Sequence, residues 1–128
     1  MDRYALVGWP LAFSLSAAIQ RAAFAAAGVA AEYDLAPTAP ADLPAVADRL
    51  RAGAWAGANI TVPHKVAIRD LLDEESATAL AVGAVNTVLW LSGGRLRGET
   101  TDVEGFEAAL GAAAPEPGGG AIVLGAGG

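Results

Sequence analysis

Gly57–Asp70 reads GANITVPHKVAIRD. Its first six residues are an apolar run with two polar members, Asn59 and Thr61, the pattern of a buried strand. Pro63 breaks the run, because it has no amide hydrogen to give to a sheet ladder. His64 and Lys65 follow at once, and KVAIRDLLDEESATALAVG reads as one or two helices. Strand, break and helix make one βα unit, and the same succession recurs upstream. YALVGW (Tyr4–Trp9) is a buried strand ended by Gly8, Trp9 and Pro10. An alanine-rich helix follows over about Ala17–Ala27, with Ile19, Ala22, Ala23 and Ala26 on one face and Gly28 as its stop. AEYDLAP (Ala31–Pro37) is a second strand. Asp42 is placed to cap a helix with Leu43, Val46, Ala47 and Leu50 at helical spacing, which Gly53 ends. Downstream, AVNTVLWL and RLRGETT flank Ser92-Gly93-Gly94, a hairpin signal. Thr101 and Glu104 then stand at capping-box spacing at the start of another helix.

Strands that alternate with helices imply an α/β fold: three layers, α/β/α, around a mostly parallel sheet, with one antiparallel strand added by the hairpin. GAAAPEPGGG (Gly111–Gly120) reads as a Pro/Gly-rich linker and the domain boundary, which sets 1–110 apart from 121–128. AIVLGAGG then has the form in which a dinucleotide-binding βαβ unit begins: an apolar strand, then Gly125, Ala126, Gly127 and Gly128 in a turn that lets a pyrophosphate approach the backbone. No helix or ribose-reading residue follows it, and a lone strand over Ala121–Leu124 has no partner to pair with.

Composition removes several classes of function. The 128 residues are 54% hydrophobic and 17% charged, with much of the apolar share in alanine, so the core rests on the larger aliphatic and aromatic side chains. A net charge of −6 argues against nucleic acid as a partner. The absence of cysteine excludes disulfides and thiolate chemistry, and a single histidine leaves no transition-metal set. No signal peptide and no membrane-length apolar run is present, so the expected location is cytoplasmic.

In a parallel sheet the βα loops open at one rim, where ligands collect. Ser14 and Ser16 follow the first strand, Thr61 and Lys65 end the third, Asn86 lies in GAVNTV, and Asp102 starts a helix after the hairpin. If they converge, they offer hydroxyl donors, one ammonium, one amide and one carboxylate, a set suited to a small polyhydroxylated carboxylic acid. Singly, each has a plainer reading. Ser14 or Ser16 and Asp102 serve as helix caps, Lys65 as a solvated lysine, Asn86 as a strand-edge residue and His64 as a loop residue without chemistry.

Together, YALVGWPLAFSLS, GANITVPHK, GAVNT and GETTDVEGF occur in the order and at the spacings of the shikimate dehydrogenases, which the chain resembles over nearly its whole length. GAGG resembles that family's cofactor loop. The resemblance implies an N-terminal substrate domain joined to a Rossmann-type NADP domain, and reduction of 3-dehydroshikimate to shikimate on the route to aromatic amino acids. It implies that Ser14 and Ser16 bind the substrate carboxylate, that Thr61, Asn86 and Asp102 hold ring hydroxyls, and that Lys65 and Asp102 are the catalytic pair. Gly125–Gly128 would belong to the NADP site. It also implies that this chain is a substrate half with the first strand of its partner domain, inactive alone. There are departures: Ala17, Gln20 and Arg21 replace the family's usual residues after the second serine, and Thr100-Thr101-Asp102-Val103 replaces asparagine-threonine-aspartate-glycine. A quinate/shikimate dehydrogenase that prefers NAD and a non-catalytic shikimate-binding module are the alternatives.

Overall fold

A computed structural model describes residues 1–113, 118 and 120–125. Six strands form one sheet: β1 (Asp2–Gly8), β2 (Ala31–Pro37), β3 (Gly57–Ile60), β4 (Glu74–Glu75), β5 (Thr87–Leu91) and β6 (Arg95–Glu99). Four α-helices join them: α1 (Ser16–Ala27), α2 (Leu43–Arg51), α3 (Ala77–Val82) and α4 (Asp102–Ala113). The strand order is β2-β1-β3-β5-β6-β4. β1 pairs in parallel with β2 and β3, and β4 with β6. β5 is antiparallel to both its neighbours and is the sheet's one reversed strand, as the hairpin signal predicts. Gly93 and Gly94 make the turn with φ of 77° and 75°, a region that favours glycine.

Alternation along the strands sends side chains to two faces. Ala5, Val7, Ala58, Ile60, Val88 and Leu96 point to a large core with Leu43, Val46, Ala47 and Leu50 of α2, Ile68 and Ala79. Leu6 and Tyr33 point the other way, to a small cluster with Leu11, Ala17, Tyr4 and Phe24 under α1. Helices on both faces give the expected three layers.

Three local expectations are corrected. The packing face of α1 is Ala17, Gln20 and Phe24, while Ile19, Ala22, Ala23 and Ala26 are exposed. An alanine-rich helix has little amphipathic signal, and the aromatic contacts of Phe24 with Tyr4 and Tyr33, at 5.6 and 6.5 Å between ring centroids, set its orientation. Asp42 precedes α2 without a side-chain capping bond, since a 3₁₀ turn over Pro40–Asp42 leads into the helix. The stretch after Lys65 contains less α-helix than its composition suggests: a 3₁₀ turn (Ala67–Leu71), then β4, then α3, capped by Ser76. Here the margin of β6 outcompetes the helix, because Asp73 N–H donates to Leu96 O and Ser76 N–H to Gly98 O.

α4 runs on through Gly111–Ala113, three residues into the stretch read as linker, where alanines favour helix. Residues 121–125 have no regular secondary structure, and Ile122, Val123 and Leu124 are 89%, 85% and 94% exposed. Ala126, Gly127 and Gly128, and the linker residues 114–117 and 119, lie outside the described residues. No described helix is long and apolar enough to cross a membrane. Among the described residues no group of three or more His, Asp or Glu could hold a metal ion.

Candidate functional site

The end of β3 is built by hydrogen bonds that leave its last side chains in fixed directions. Thr61 N–H donates to Val7 O and Trp9 N–H to Val62 O, so the β1 and β3 loops stay in contact beyond the strands. No side chain fits at Gly8, where a Cβ would collide with the Thr61 methyl group. The chain then turns at Pro63, with His64 N–H bonded to Thr61 O at 2.9 Å. His64 goes inward. It is 1% exposed, and its Nε2 donates to Thr38 O at 2.7 Å, tying this turn to the end of β2. Lys65 goes to the rim. Its carbonyl accepts from Val85 N–H at 2.8 Å, which draws the Ala84–Asn86 segment against it.

Asn86 is held by its main chain from both sides: its carbonyl accepts from Ile60 N–H at 2.8 Å and its N–H donates to Glu99 O at 3.0 Å. Its side chain is therefore delivered to the start of α4. There Nδ2 donates to Asp102 Oδ1 at 2.8 Å and to Thr101 Oγ1 at 2.9 Å, while Oδ1 accepts from Thr101 N–H at 3.1 Å. The Thr101 hydroxyl is thus engaged by Asn86. Asp102 Oδ2 accepts from Lys65 Nζ at 2.7 Å across 37 residues of sequence. Desolvation alone would raise the Asp102 pKa, but hydrogen bonds from Lys65 and Asn86 and the attraction of the Lys65 charge outweigh it. The carboxyl is held below its ordinary value, favouring the ionised form. Its place in the first turn of α4 also suits a negative charge. The Lys65 side chain is only 19% exposed and is not the solvated lysine of the plainer reading.

Ser16, Thr61, Lys65, Asn86 and Asp102 line one depression of about 340 Å³, with Gln20, Tyr33 and Asn59 among the remaining wall residues. Five of the six sequence candidates thus meet. Ser14 is not among the wall residues, and its Oγ accepts from Ser16 N–H at 3.2 Å. The sequence reading assigns no role to Asn59, Tyr33 or Gln20. Asn59 leaves a signal, an amide inside an apolar strand. Tyr33 leaves none, since tyrosine is ordinary in a strand, and Gln20 is visible only as the residue one turn beyond Ser16. Thr100, at a position where the sequence departs from the family, is buried with its Oγ1 unpartnered among the described residues.

A larger groove of about 600 Å³ runs beside β2. Its polar groups satisfy one another: Arg3 and Trp55 Nε1 both donate to Asp34, Arg21 donates to Tyr33 O, and Arg49 lies over the Trp55 ring at 4.2 Å. The rim depression is the better candidate, because its ammonium, carboxylate, amide and hydroxyls converge on open space. Gly125 has a φ of 93° and open space where a Cβ would stand.

Comparison with known proteins identifies the family. The family described as shikimate dehydrogenase substrate binding domain matches residues 6–88. The shikimate dehydrogenase (NADP(+)) of Methylocella silvestris is 43% identical over 127 residues, which cover 96% of this chain and 45% of that protein. The crystal structure of the Thermus thermophilus shikimate 5-dehydrogenase in complex with shikimate superimposes with a TM-score of 0.86 at 39% identity, covering 94% of this chain and 46% of that one. The same enzyme in complex with NADP(H) and shikimate gives 0.83 at 40% identity, over 89% and 43%. This chain therefore spans less than half the length of these relatives. It belongs to the shikimate dehydrogenase family, as its substrate-binding domain.

Proposed function

We propose that this chain is the substrate-binding part of an NADP-dependent shikimate dehydrogenase that reduces 3-dehydroshikimate to shikimate, in a cytoplasmic setting. The observation that carries the reading is the Lys65–Asp102 pair, closed at 2.7 Å on the wall of a depression that also presents Ser16, Thr61 and Asn86. The nicotinamide cofactor, when bound, supplies hydride; Gly125 with Ala126, Gly127 and Gly128 would form its phosphate-binding turn. The residues of this chain do the rest. Lys65 Nζ stands where the ketone oxygen gains negative charge, stabilises that charge and gives the oxygen its proton. Asp102 orients the ammonium through the hydrogen bond that it accepts from Lys65 Nζ. Asn86 fixes the carboxylate, so that a ring hydroxyl meets an acceptor already in position. Thr61 offers a hydroxyl to the same ring. Ser16 faces the substrate carboxylate, and Ser14, whose oxygen is engaged by Ser16 N–H, keeps its own proton for that carboxylate.

Titration with shikimate, quinate and NADPH, followed through backbone amide signals, tests this. Shikimate is expected to move Ser16, Thr61 and Asn86 together, with saturation lost in Lys65→Ala. Shifts confined to other regions, or binding indifferent to Lys65, would refute the assignment.

A further inference from the structure

From Tyr33 a continuous hydrogen-bond chain crosses the α1 face of the sheet to the catalytic pair. Tyr33 Oη meets Asn59 Oδ1 at 2.7 Å, Asn59 Nδ2 meets Thr87 Oγ1 at 3.2 Å, and Thr87 Oγ1 meets Asn86 Oδ1 at 2.9 Å. Asn86 Nδ2 then reaches Asp102, and Asp102 reaches Lys65. The polarity of this chain is dictated from its far end. Asn86 Nδ2 faces an ionised carboxylate, which only accepts, and Asn86 Oδ1 faces the Thr101 backbone N–H, which only donates. The Asn86 amide therefore has one orientation. Thr87 must spend its hydroxyl proton on Asn86 Oδ1, so its oxygen is left to accept from Asn59 Nδ2. The Asn86 carbonyl, 3.5 Å from the same Asn59 nitrogen, is a second fixed acceptor. Asn59 Oδ1 is thereby turned toward Tyr33, which has to donate.

The structure assigns Tyr33 as a positioning residue: its phenolic hydroxyl, acting through Asn59, Thr87 and Asn86, holds the Asp102 carboxylate in line with Lys65. Tyr33 suits the task. It is 2% exposed, its ring lies against Phe24, and its carbonyl is gripped by Arg21 through Nε at 3.1 Å and Nη2 at 2.7 Å. Burial pushes the phenol up to about 12, so it remains a donor wherever the protein works. A donor of fixed sign at one end and a carboxylate at the other leave each intermediate amide a single satisfied orientation. The hydrogen bonds stand by themselves; their bearing on catalysis rests on the proposed function.

The experiment uses the 128-residue chain with Tyr33→Phe, which keeps the ring and deletes the hydroxyl, with Thr87→Val, which cuts the chain one link from Asn86, and with both together. Three readouts are taken: the Asn86 side-chain amide signals, the Asp102 carboxyl titration and shikimate affinity. Tyr33→Phe is expected to move the Asn86 signals, to shift the Asp102 midpoint upward toward 3.8, and to weaken shikimate binding roughly 3- to 10-fold, as for one lost hydrogen bond. Thr87→Val should do at least as much, and the double variant no more than Thr87→Val alone. Unchanged Asn86 signals and an unchanged Asp102 midpoint in Tyr33→Phe would overturn the assignment, as would effects that add in full. If the first two readouts respond while the parent chain itself does not bind shikimate, Tyr33 keeps its role and the proposed function falls.

Discussion

The two faces of the sheet are covered to different depths. Under α2, the 3₁₀ turn at Ala67–Leu71 and α3, fourteen buried residues form one continuous core. Under α1 only four are buried, and β3 and β5 turn Asn59 and Thr87 toward that side beside an exposed Leu89. Close packing makes the first face stable. The second gives up apolar burial for a hydrogen-bonded layer that borders the rim depression, and there every donor has to find its acceptor. Rigidity comes from one layer, and the candidate site borders the other.

Substitutions can break or sharpen that contrast. The largest effect is expected at Lys65 under the proposed function. In the enzyme that carries this domain, Lys65→Ala should lower turnover roughly 10²–10⁴-fold with a modest change in KM; steady-state kinetics within a few-fold of the parent would take Lys65 out of proton transfer. On the thick face, Leu50→Ala should cost about 2–5 kcal/mol in urea unfolding, because Leu50 is wholly buried. Phe24→Ala, on the thin face and only partly buried, should cost about half as much or less. Equal costs would show that the faces contribute alike.

Two glycines make a closer pair. A Cβ on Gly98 would meet Val85 Cγ2 at 2.7 Å and would press on Leu72, so Gly98→Ala should overpack the thick face by roughly 1–3 kcal/mol. Gly105, inside α4, has nothing near its missing Cβ, and Gly105→Ala should stabilise by about 0.5–1 kcal/mol. Thermal melts of both variants separate them by sign. The smallest expected effect is in pH. The Asp102 carboxyl lies below its ordinary 3.8 in the folded chain, so the unfolded chain takes up its proton first as pH falls. Its contribution to stability is therefore full above 3.8 and lost as pH falls through the lower folded value. Asp102→Asn should flatten this part of the stability curve at acid pH and leave the rest unchanged; an unaltered acid limb would mean that the pair is not formed in solution.

The legible part of the fold is the part written in periodicity. Leu43, Val46, Ala47 and Leu50 spell their helix face, AEYDLAP its strand, and Ser92-Gly93-Gly94 the reversal that makes β5 antiparallel. The face of α1 is misread from its sequence because its alanines and one isoleucine point nowhere decisively, whereas one phenylalanine against two tyrosines does. β4 is unreadable in advance, since its two glutamates become a strand only because β6 presents free backbone groups to Asp73 and Ser76. In the site, five of six candidates come together, while Asn59 and Tyr33 go unassigned because the partners that give them meaning lie 26 to 28 residues away.

His64 and Lys65 mark the division. Composition and local pattern determined that a strand ends at the proline, that helices and parallel strands alternate, and that a cation follows the third strand. Propensity and backbone stereochemistry act over a few residues, so a linear sequence carries them. Only the tertiary structure decided that the imidazole turns inward to Thr38 while the neighbouring ammonium reaches Asp102 at the rim. A hydrogen bond needs its two atoms within about 3 Å and aligned, and for residues so far apart in the chain the order of strands in the sheet supplies that condition.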